Sequence, residues 1–307
     1  MQPLYNDNSL FVSVIIPVFN DSYRLKLCLQ ALKNQVIYNT QFDYEVIVVD
    51  NNSTENIEGL CGEYGARYIF ESAKGSYAAR NKGVSVAKGP FLAFTDSDCI
   101  PDTNWLESGL SKLAIHPEIG LLGGSIKLFT NNTNLTLGDI FDLSFAFPQK
   151  HYVNHNHFAA TANMFTRTEV FHKVGMFASS MYSGGDYEWG RRVFFAGYKQ
   201  HFSGNTIVKH PTRSSIKEII RKSYRVNRNY NTKLQNDRTK NIRLFKYILE
   251  LLAFPLAITS SIKKVKSSSI LDQLSIWQKV KLVTLLICIY YVKTYAKIKE
   301  WIMLKLN

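Results

Sequence analysis

Three largely apolar runs in the first hundred positions restrict the folds that this chain can adopt. They are Phe11–Phe19 (FVSVIIPVF), Glu45–Asp50 (EVIVVD) and Pro90–Thr95 (PFLAFT). Apolar runs of this length without polar alternation are typical of strands buried on both faces. The chain therefore needs helices on both sides of a sheet to cover them.

Helical patterns separate these runs. Leu25, Cys28, Leu29 and Leu32 recur at helical spacing after a capping Asp21 or Ser22, and further helices are predicted over Tyr77–Ala87 and about Asn104–Ile115. A short strand is predicted over Arg67–Phe70. Alternating strands and helices predict an α/β fold with a mainly parallel sheet.

Each of the three strands ends in polar residues. Asn20-Asp21 follows the first strand, Asp50-Asn51-Asn52 the second, and Asp96-Ser97-Asp98 the third. Ligands of parallel α/β sheets bind beyond the carboxyl ends of the strands. Acidic groups converging at that edge predict a site for a nucleotide and a metal.

Asp96-x-Asp98 is the central pair of this predicted site. Two carboxylates just past a strand can hold a hard cation such as Mn²⁺ or Mg²⁺ and leave positions open for phosphate oxygens. The alternative is a surface turn, because Asp and Ser are common turn residues.

Asp50 and Arg80 each have a structural alternative to a role in binding. Asp50 can accept a hydrogen bond from a nucleotide base or can equally be a helix cap or turn residue, and Arg80 can meet a diphosphate or a base or be a solvated helix charge. The spacing of a P-loop is absent, and no G-x-G-x-x-G follows the first strand. ATPase and dinucleotide-binding functions are disfavoured accordingly.

Five segments together resemble family 2 glycosyltransferases with the GT-A fold. They are VSVIIPVFND, EVIVVDNNSTEN, SYAARNKGVSVAKG, FLAFTDSDCIPDTNWL and GGDYEWGRRVFFAGYK, and the resemblance covers about residues 11–210. It implies an inverting transferase that takes its sugar from a nucleoside-diphosphate donor, with a UDP-sugar as the first candidate.

The resemblance also implies roles for single residues. Pro17, Asp50, Arg80 and Asn81 would bind the nucleotide, while Asp96 and Asp98 would meet the ribose, the diphosphate and the metal. The donor-binding candidates lie at strand ends or in the predicted helix that contains Arg80 and Asn81. They are Pro17, Asn20, Asp50, Asn52, Arg80, Asn81, Asp96, Ser97 and Asp98.

The catalytic base and a third metal ligand also come from the resemblance. Family members usually have a Glu-Asp pair where this chain has Gly185-Asp186, so Asp186 is the candidate base and Glu188 its competitor. His210, after a short predicted strand Thr206–Lys209, is a candidate metal ligand or diphosphate contact. The alternatives are a helix N-terminal carboxylate and a surface histidine.

Three histidines crowd the segment HYVNHNHF: His151, His155 and His157. Histidines at i and i+4 can share a zinc ion on a helix, but no cysteine lies nearby. We expect a polar, flexible loop on the acceptor side.

The net charge of +13 is concentrated in the last third of the chain. Residues 1–200 carry 16 Lys and Arg against 19 Asp and Glu, whereas residues 201–307 carry 21 against 5. We therefore expect a catalytic domain over residues 1–212 and a basic helical tail over 213–307. Two apolar stretches of this tail, Phe245–Ile262 and Lys281–Val292, favour helices lying on an anionic membrane surface over nucleic acid as a partner. The alternative is a soluble helical subdomain.

The location and the acceptor follow from these features. Four scattered cysteines indicate a reducing compartment, so we expect a cytoplasmic protein, peripheral at the inner face of the cell membrane. A lipid-linked or surface glycan suits that location as acceptor. Two other functions remain open: a sugar-phosphate nucleotidyltransferase, although its glycine-rich opening is absent, and a non-enzymatic membrane or nucleic-acid binder.

Overall fold

A computed structural model describes residues 10–38, 42–228, 247, 249, 259 and 269–306. The chain divides into two compact units. The first comprises Met1–Lys127, Phe147–Met181 and Gly185–His210, and the second comprises Leu128–Ala146, Tyr182–Gly184 and Pro211–Asn307.

The described strands form one eight-stranded sheet in the order β3-β2-β1-β4-β7-β6-β8-β5. Their bounds are β1 Leu10–Val18, β2 Phe42–Asp50, β3 Arg67–Phe70, β4 Phe91–Thr95, β5 Ile100–Pro101, β6 Ile119–Phe129, β7 Asn163–Arg167 and β8 Lys199–Pro211. Strands β3, β2, β1 and β4 are parallel to one another. Strand β7 runs antiparallel to β4 and β6, and β5 runs antiparallel to β8.

Ten α-helices connect or follow these strands in the described part of the chain. They are α1 Ser22–Lys33, α2 Ile57–Tyr64, α3 Ser76–Val86, α4 Trp105–Ile115, α5 Leu137–Phe145, α6 Gln149–His151, α7 Thr168–Val174, α8 Gly185–Phe195, α9 Ile216–Arg228 and α10 Ile276–Leu306. A π-helical turn, Tyr152–Asn156, extends α6, and a 3-10 turn, Ser269–Gln273, precedes α10. The α/β class expected from the sequence is confirmed, with β3, β2, β1 and β4 as the parallel part of the sheet.

Strand β1 shows why the apolar runs lack polar alternation. Val12, Val14 and Ile16 pack in a cluster with side chains of α1 and α4, whereas Ile15 packs in a second cluster with α3 and α8. Both faces of the strand are thus covered by helices. Helix α3 packs closely on this strand, since a Cβ on Gly83 would lie 2.5 Å from Cγ2 of Ile15.

Three local expectations need correction. The histidine segment is helical rather than a loop, because α6 and its π-helical turn bury Val153 and stack Tyr152 on Phe158. The short strand Thr206–Lys209 is part of the 13-residue strand β8. The stretch Lys281–Val292 is the middle of the 31-residue helix α10, which continues through the lysines beyond it.

The second unit has its own apolar contacts. Ile140 of α5 packs with Leu271 and Leu282, and Ile219 of α9 packs with Leu285 and Ile289 of α10. None of the helices in the described part of the chain combines the length and the hydropathy that a membrane-spanning segment requires. The predicted apolar stretch Phe245–Ile262 lies outside the described residues except at positions 247, 249 and 259.

Candidate functional site

The polar residues that follow β1 and β2 contact one another. Asn20, at φ 48°, accepts a hydrogen bond from the Thr54 amide at 2.8 Å, and its own amide donates to Ser53 Oγ at 2.9 Å. Asn52, at φ 70°, donates to the Glu71 and Ser72 carbonyls, each at 3.1 Å. Asparagine tolerates this left-handed backbone better than most residues do. The two turns are thereby cross-linked at the carboxyl edge of the parallel strands.

Asp50 is buried at the end of β2. Its Oδ1 accepts from the Ser53 amide at 2.9 Å, and its Oδ2 accepts from the Tyr68 hydroxyl at 3.2 Å. The turn-capping role is therefore present. Pro17 lies one strand away, in register with Val49.

Arg80 and Asp96 form an ion pair at this edge. Arg80 is buried on α3, and its Nη2 donates to Oδ1 of Asp96 just past β4. The buried Nε of Arg80 has no hydrogen-bond partner. An unsatisfied guanidinium N–H beside a partly exposed carboxylate is a candidate donor to an anionic ligand.

Asn81, next to Arg80, has a different environment. Its side-chain amide donates to the Phe177 carbonyl at 2.8 Å and accepts from the Phe177 amide at 3.0 Å. This pair of hydrogen bonds fixes the segment after α7 to α3. The nucleotide contact predicted for Asn81 is not tested by these contacts and stays a prediction.

Asp98, rather than Asp96, approaches His210. Asp98 Oδ2 and His210 Nε2 are 3.6 Å apart. Cys99 lies beside them, and the three residues each offer one potential ligand atom within 4.8 Å of the other two. Burial, followed by the charges of Asp98 and Asp96, raises the pKa of the Cys99 thiol well above its usual value. Soft thiolate ligands suit zinc or copper(I) rather than hard cations such as Mn²⁺ or Mg²⁺, so Asp98 and His210 are the stronger pair for such a cation.

Ser97 and Arg24 connect this loop to α1. Ser97 Oγ donates to Asp21 Oδ2 at 3.1 Å, and Arg24 Nε donates to Asp21 Oδ1 at 2.7 Å. Arg24 Nη1 also lies 3.8 Å from Asp98 Oδ2. Asp21 thus holds these neighbours instead of capping α1, and the Ser22 amide at the helix N-terminus donates to Glu55 Oε2 at 2.6 Å.

Asp186 lies in the first turn of α8 and contacts a residue that the sequence pattern did not single out. The Tyr77 hydroxyl donates to Asp186 Oδ1 at 3.0 Å, and the Tyr187 amide donates to the same oxygen at 2.9 Å. Burial, then the Asp186 charge, raises the pKa of Tyr77, so the phenol stays a proton donor. No local signal marks Tyr77, because its partner is distant in sequence.

Tyr77 also explains the glycine before Asp186. A Cβ on Gly185 would lie 2.9 Å from Cδ2 and Cε2 of the Tyr77 ring. A glutamate cannot occupy position 185 unless that ring moves. Gly185 therefore leaves the space that the Tyr77 ring occupies.

Glu188, the competing base, is held by Arg192. The guanidinium donates to both carboxylate oxygens, at 2.7 and 2.9 Å, and also contacts the Val174 and Met176 carbonyls. A bidentate pair of this kind favours a structural role for Glu188.

Comparison with known proteins gives a consistent result. The model of the family described as "Glycosyl transferase family 2" matches residues 13–175. The glycosyltransferase AglE of Haloferax volcanii is 34% identical over 248 residues, covering 79% of this chain and 80% of AglE.

Two more distant proteins extend the comparison. One is a Methanococcus voltae enzyme named as a dolichyl N-acetyl-α-D-glucosaminyl phosphate 3-β-D-2,3-diacetamido-2,3-dideoxy-β-D-glucuronosyltransferase. It is 22% identical, over 69% of this chain and 70% of its own length. The other is the structure of a Pyrobaculum calidifontis mannosyltransferase with GDP-mannose and Mn²⁺. It superposes with a TM-score of 0.61 at 16% identity, over 94% of this chain and 86% of that one, which supports the fold.

Proposed function

The chain belongs to glycosyl transferase family 2, and from this premise we propose that it transfers a sugar from a nucleoside-diphosphate donor to an acceptor hydroxyl with inversion at the anomeric carbon. A UDP-sugar is the first candidate for the donor. The acceptor is a lipid-linked or surface glycan, in keeping with the substrate in the name of the Methanococcus voltae relative.

The main support for the donor site is the approach of Asp98 and His210, which lie 3.6 Å apart near the ion pair of Arg80 and Asp96. One carboxylate and one imidazole suit Mn²⁺ better than Mg²⁺, which prefers oxygen ligands. Asp98 and His210 would hold this ion, with Asp96 and Ser97 beside it. When bound, the cation would neutralise charge on the diphosphate leaving group.

We assign the remaining donor contacts to residues at the carboxyl edge of the parallel strands and in α3. Arg80 would donate its unpaired Nε–H to a diphosphate oxygen. Pro17, Asn20, Asp50, Asn52 and Asn81 would frame the nucleoside, and in this role the Asp50–Ser53 turn would open to the base.

Asp186 is the catalytic base of the proposed reaction. It takes the proton of the acceptor hydroxyl, whose oxygen forms a bond to the anomeric carbon while the bond to the diphosphate breaks. The Tyr77 hydrogen bond orients the Asp186 carboxylate for this proton transfer. Glu188, paired with Arg192, positions α8 instead.

The tail supports a membrane-surface partner at the inner face of the cell membrane. Exposed residues of α10 recur on one stripe, Trp277, Lys281, Thr284, Cys288, Tyr295, Lys299 and Ile302. Aromatic and apolar side chains interspersed with lysines suit an anionic lipid interface. No feature of the described residues favours nucleotidyl transfer or nucleic-acid binding over sugar transfer.

Calorimetry and thermal shift with UDP, GDP, dTDP and CDP, each with and without Mn²⁺, test this proposal. We expect one diphosphate to bind, and Mn²⁺ to strengthen that binding about tenfold or more, because the cation would offset the negative charge of the diphosphate. Asp98→Ala should abolish the Mn²⁺ effect.

Asp43→Ala, which removes an exposed carboxylate of β2, is the matched control and should retain the Mn²⁺ effect. If no diphosphate binds the wild-type chain under any condition, the proposed function is wrong. Release of pyrophosphate from a nucleoside triphosphate would favour the nucleotidyltransferase instead.

A further inference from the structure

A groove of about 450 Å³ lies in the first unit, beside the histidine segment. The helical turns of residues 149–156 form one wall, and β6 and β8 contribute Ser125, Ile126 and Phe202 to the other. Its volume is within the range of small-molecule sites. Neither the metal candidates nor Asp186 line it, so it is a separate subsite.

The lining combines two aromatic rings with basic side chains. Phe147 and Phe202 provide the rings, while Lys150 provides an amino group and His151 and His155 provide imidazoles that can donate hydrogen bonds. None of the ten lining residues is acidic. A groove of this composition favours a ligand with one apolar face and one negative charge.

The π-helical turn brings the two histidines together. The rings of His151 and His155 stack with centroids 4.7 Å apart and an interplanar angle of 19°. The two imidazoles therefore lie next to each other in the lining of the groove. Asn154, from the same turn, adds an amide to the lining.

The groove adjoins the proposed reaction centre on two sides. Phe147 contacts the His210 ring, with centroids 4.7 Å apart, and His210 is the neighbour of Asp98. On the other side, Tyr152 follows His151 directly. The Tyr152 ring stacks on Phe158, and the Phe158 ring contacts Tyr187, the residue after Asp186, with centroids 4.6 and 5.2 Å apart. Burial, then the charge of Asp186, raises the pKa of Tyr152 to about 12.

We propose that this groove is the acceptor subsite and that it selects a sugar bearing a phosphate or a carboxylate. Phe147 and Phe202 pack against the apolar face of the sugar ring, and Lys150, His151 and His155 surround the anionic group. The inference rests on the proposed function, because it assigns the acceptor side of that reaction.

Saturation-transfer NMR and calorimetry on the full chain test the inference with four soluble probes: N-acetylglucosamine 1-phosphate, glucuronate, neutral N-acetylglucosamine and inorganic phosphate. We expect one of the two anionic sugars to bind about tenfold or more tightly than the neutral sugar, because charge-assisted hydrogen bonds add to the ring contacts. Preference for the sugar phosphate identifies a phosphate-linked acceptor. Preference for glucuronate identifies an acidic sugar.

Lys150→Ala and His155→Ala should each weaken binding of the preferred anionic sugar about tenfold, since each removes one partner of the anion. Lys33→Ala, an exposed lysine at the end of α1, is the matched control and should leave it unchanged. The inference fails if the neutral sugar binds as well as the anionic ones, if no probe binds, or if both groove variants bind like wild type. It also fails if inorganic phosphate binds as tightly as the sugar phosphate, because the aromatic rings would then contribute nothing.

Nucleotide binding distinguishes this failure from failure of the proposed function. Lys150→Ala and His155→Ala should bind the nucleoside diphosphate with Mn²⁺ as the wild type does. Normal nucleotide binding without any sugar binding overturns the acceptor subsite alone, whereas loss of nucleotide binding in the wild type overturns the transferase proposal.

Discussion

Tyr77 and Asp186 are 109 positions apart in sequence, yet a 3.0 Å hydrogen bond joins them. Tyr77→Phe keeps the ring packing against Gly185 and removes only this bond. We expect kcat to fall about ten- to a hundredfold, since a misoriented base transfers a proton less efficiently. The KM for the nucleotide sugar should not change.

A lower kcat with an unchanged KM for the nucleotide sugar distinguishes this positioning role from a structural one. Tyr23→Phe, at an exposed tyrosine of α1, should leave both constants as in the wild type. An unaltered kcat in Tyr77→Phe, with an unaltered melting temperature, would mean that the hydroxyl does not orient the base.

Asp139 is the buried anchor of the second unit. It accepts hydrogen bonds from Thr130, Asn132, Thr136, Thr212 and Ser214. Burial alone would raise the pKa of this carboxyl, but the hydrogen bonds from Thr212, Asn132 and Thr136 outweigh it, and the pKa lies well below its usual value.

Asp139→Asn should lower the free energy of unfolding by about 2 kcal/mol at pH 7, because an amide nitrogen replaces an acceptor. The stabilisation from a lowered pKa is fully present above the unfolded-state pKa of about 4 and is lost as pH falls through the folded value. The difference in free energy of unfolding between the wild type and Asp139→Asn, measured by urea denaturation, should therefore shrink below pH 4. A constant difference from pH 7 to pH 2 would contradict this account.

Single residues show how far the sequence could predict the site. Asp50, Asp96 and Asp98 each follow a predicted strand, and this was enough to predict that they share one edge of the sheet, because parallel strands end at the same edge. Pattern alone could not separate Asp96 from Asp98, whose partners Arg80 and His210 come from different elements. Tyr77 carried no signal at all.

At the scale of elements, apolar periodicity located the buried strands and the helices that cover them. It failed at the histidine segment, where polar side chains face outward and the helical turn is stabilised by tertiary contacts of Val153 and Tyr152. It also could not predict that α5, from the middle of the chain, packs with α10. Such contacts depend on partners far along the chain.

The packing of α5 makes the boundary proposed at residue 212 testable. A chain of residues 1–212 would expose Ile140, Phe141 and Phe145 of α5, each worth about 2 kcal/mol when buried. We expect this fragment to melt at a lower temperature than the full chain and to self-associate in size-exclusion chromatography.

Replacing those three side chains with Gln in the fragment supplies the control. The triple variant should be monomeric, because the exposed apolar face is gone. A monomeric, equally stable fragment without these substitutions would support residues 1–212 as an independent domain.

At the scale of the whole molecule, basic residues are concentrated after residue 200. Lys281 and Lys299 lie on the exposed stripe of α10 with Trp277 and Tyr295. If this stripe lies on an anionic membrane, Lys281→Glu with Lys299→Glu should weaken vesicle binding at least about tenfold, since each lysine near the surface contributes about 1 kcal/mol.

Flotation with vesicles of anionic and of neutral lipid measures this effect. Binding of the wild type should require anionic lipid and should fall with added salt. Lys26→Glu with Lys33→Glu, two exposed lysines of α1, provides a charge-matched control. Equal flotation of both double variants would place the membrane contact elsewhere or exclude it.

The four cysteines differ in their access to solvent. Cys28, Cys61 and Cys99 are buried, and burial, followed by nearby carboxylates, raises the pKa of each thiol, whereas Cys288 is exposed on α10. Alkylating reagents react with accessible thiolates, so a maleimide should modify one position of the native protein. The chain thus carries a built-in attachment point for a fluorophore, and its emission can report the surroundings of α10 without any engineered residue.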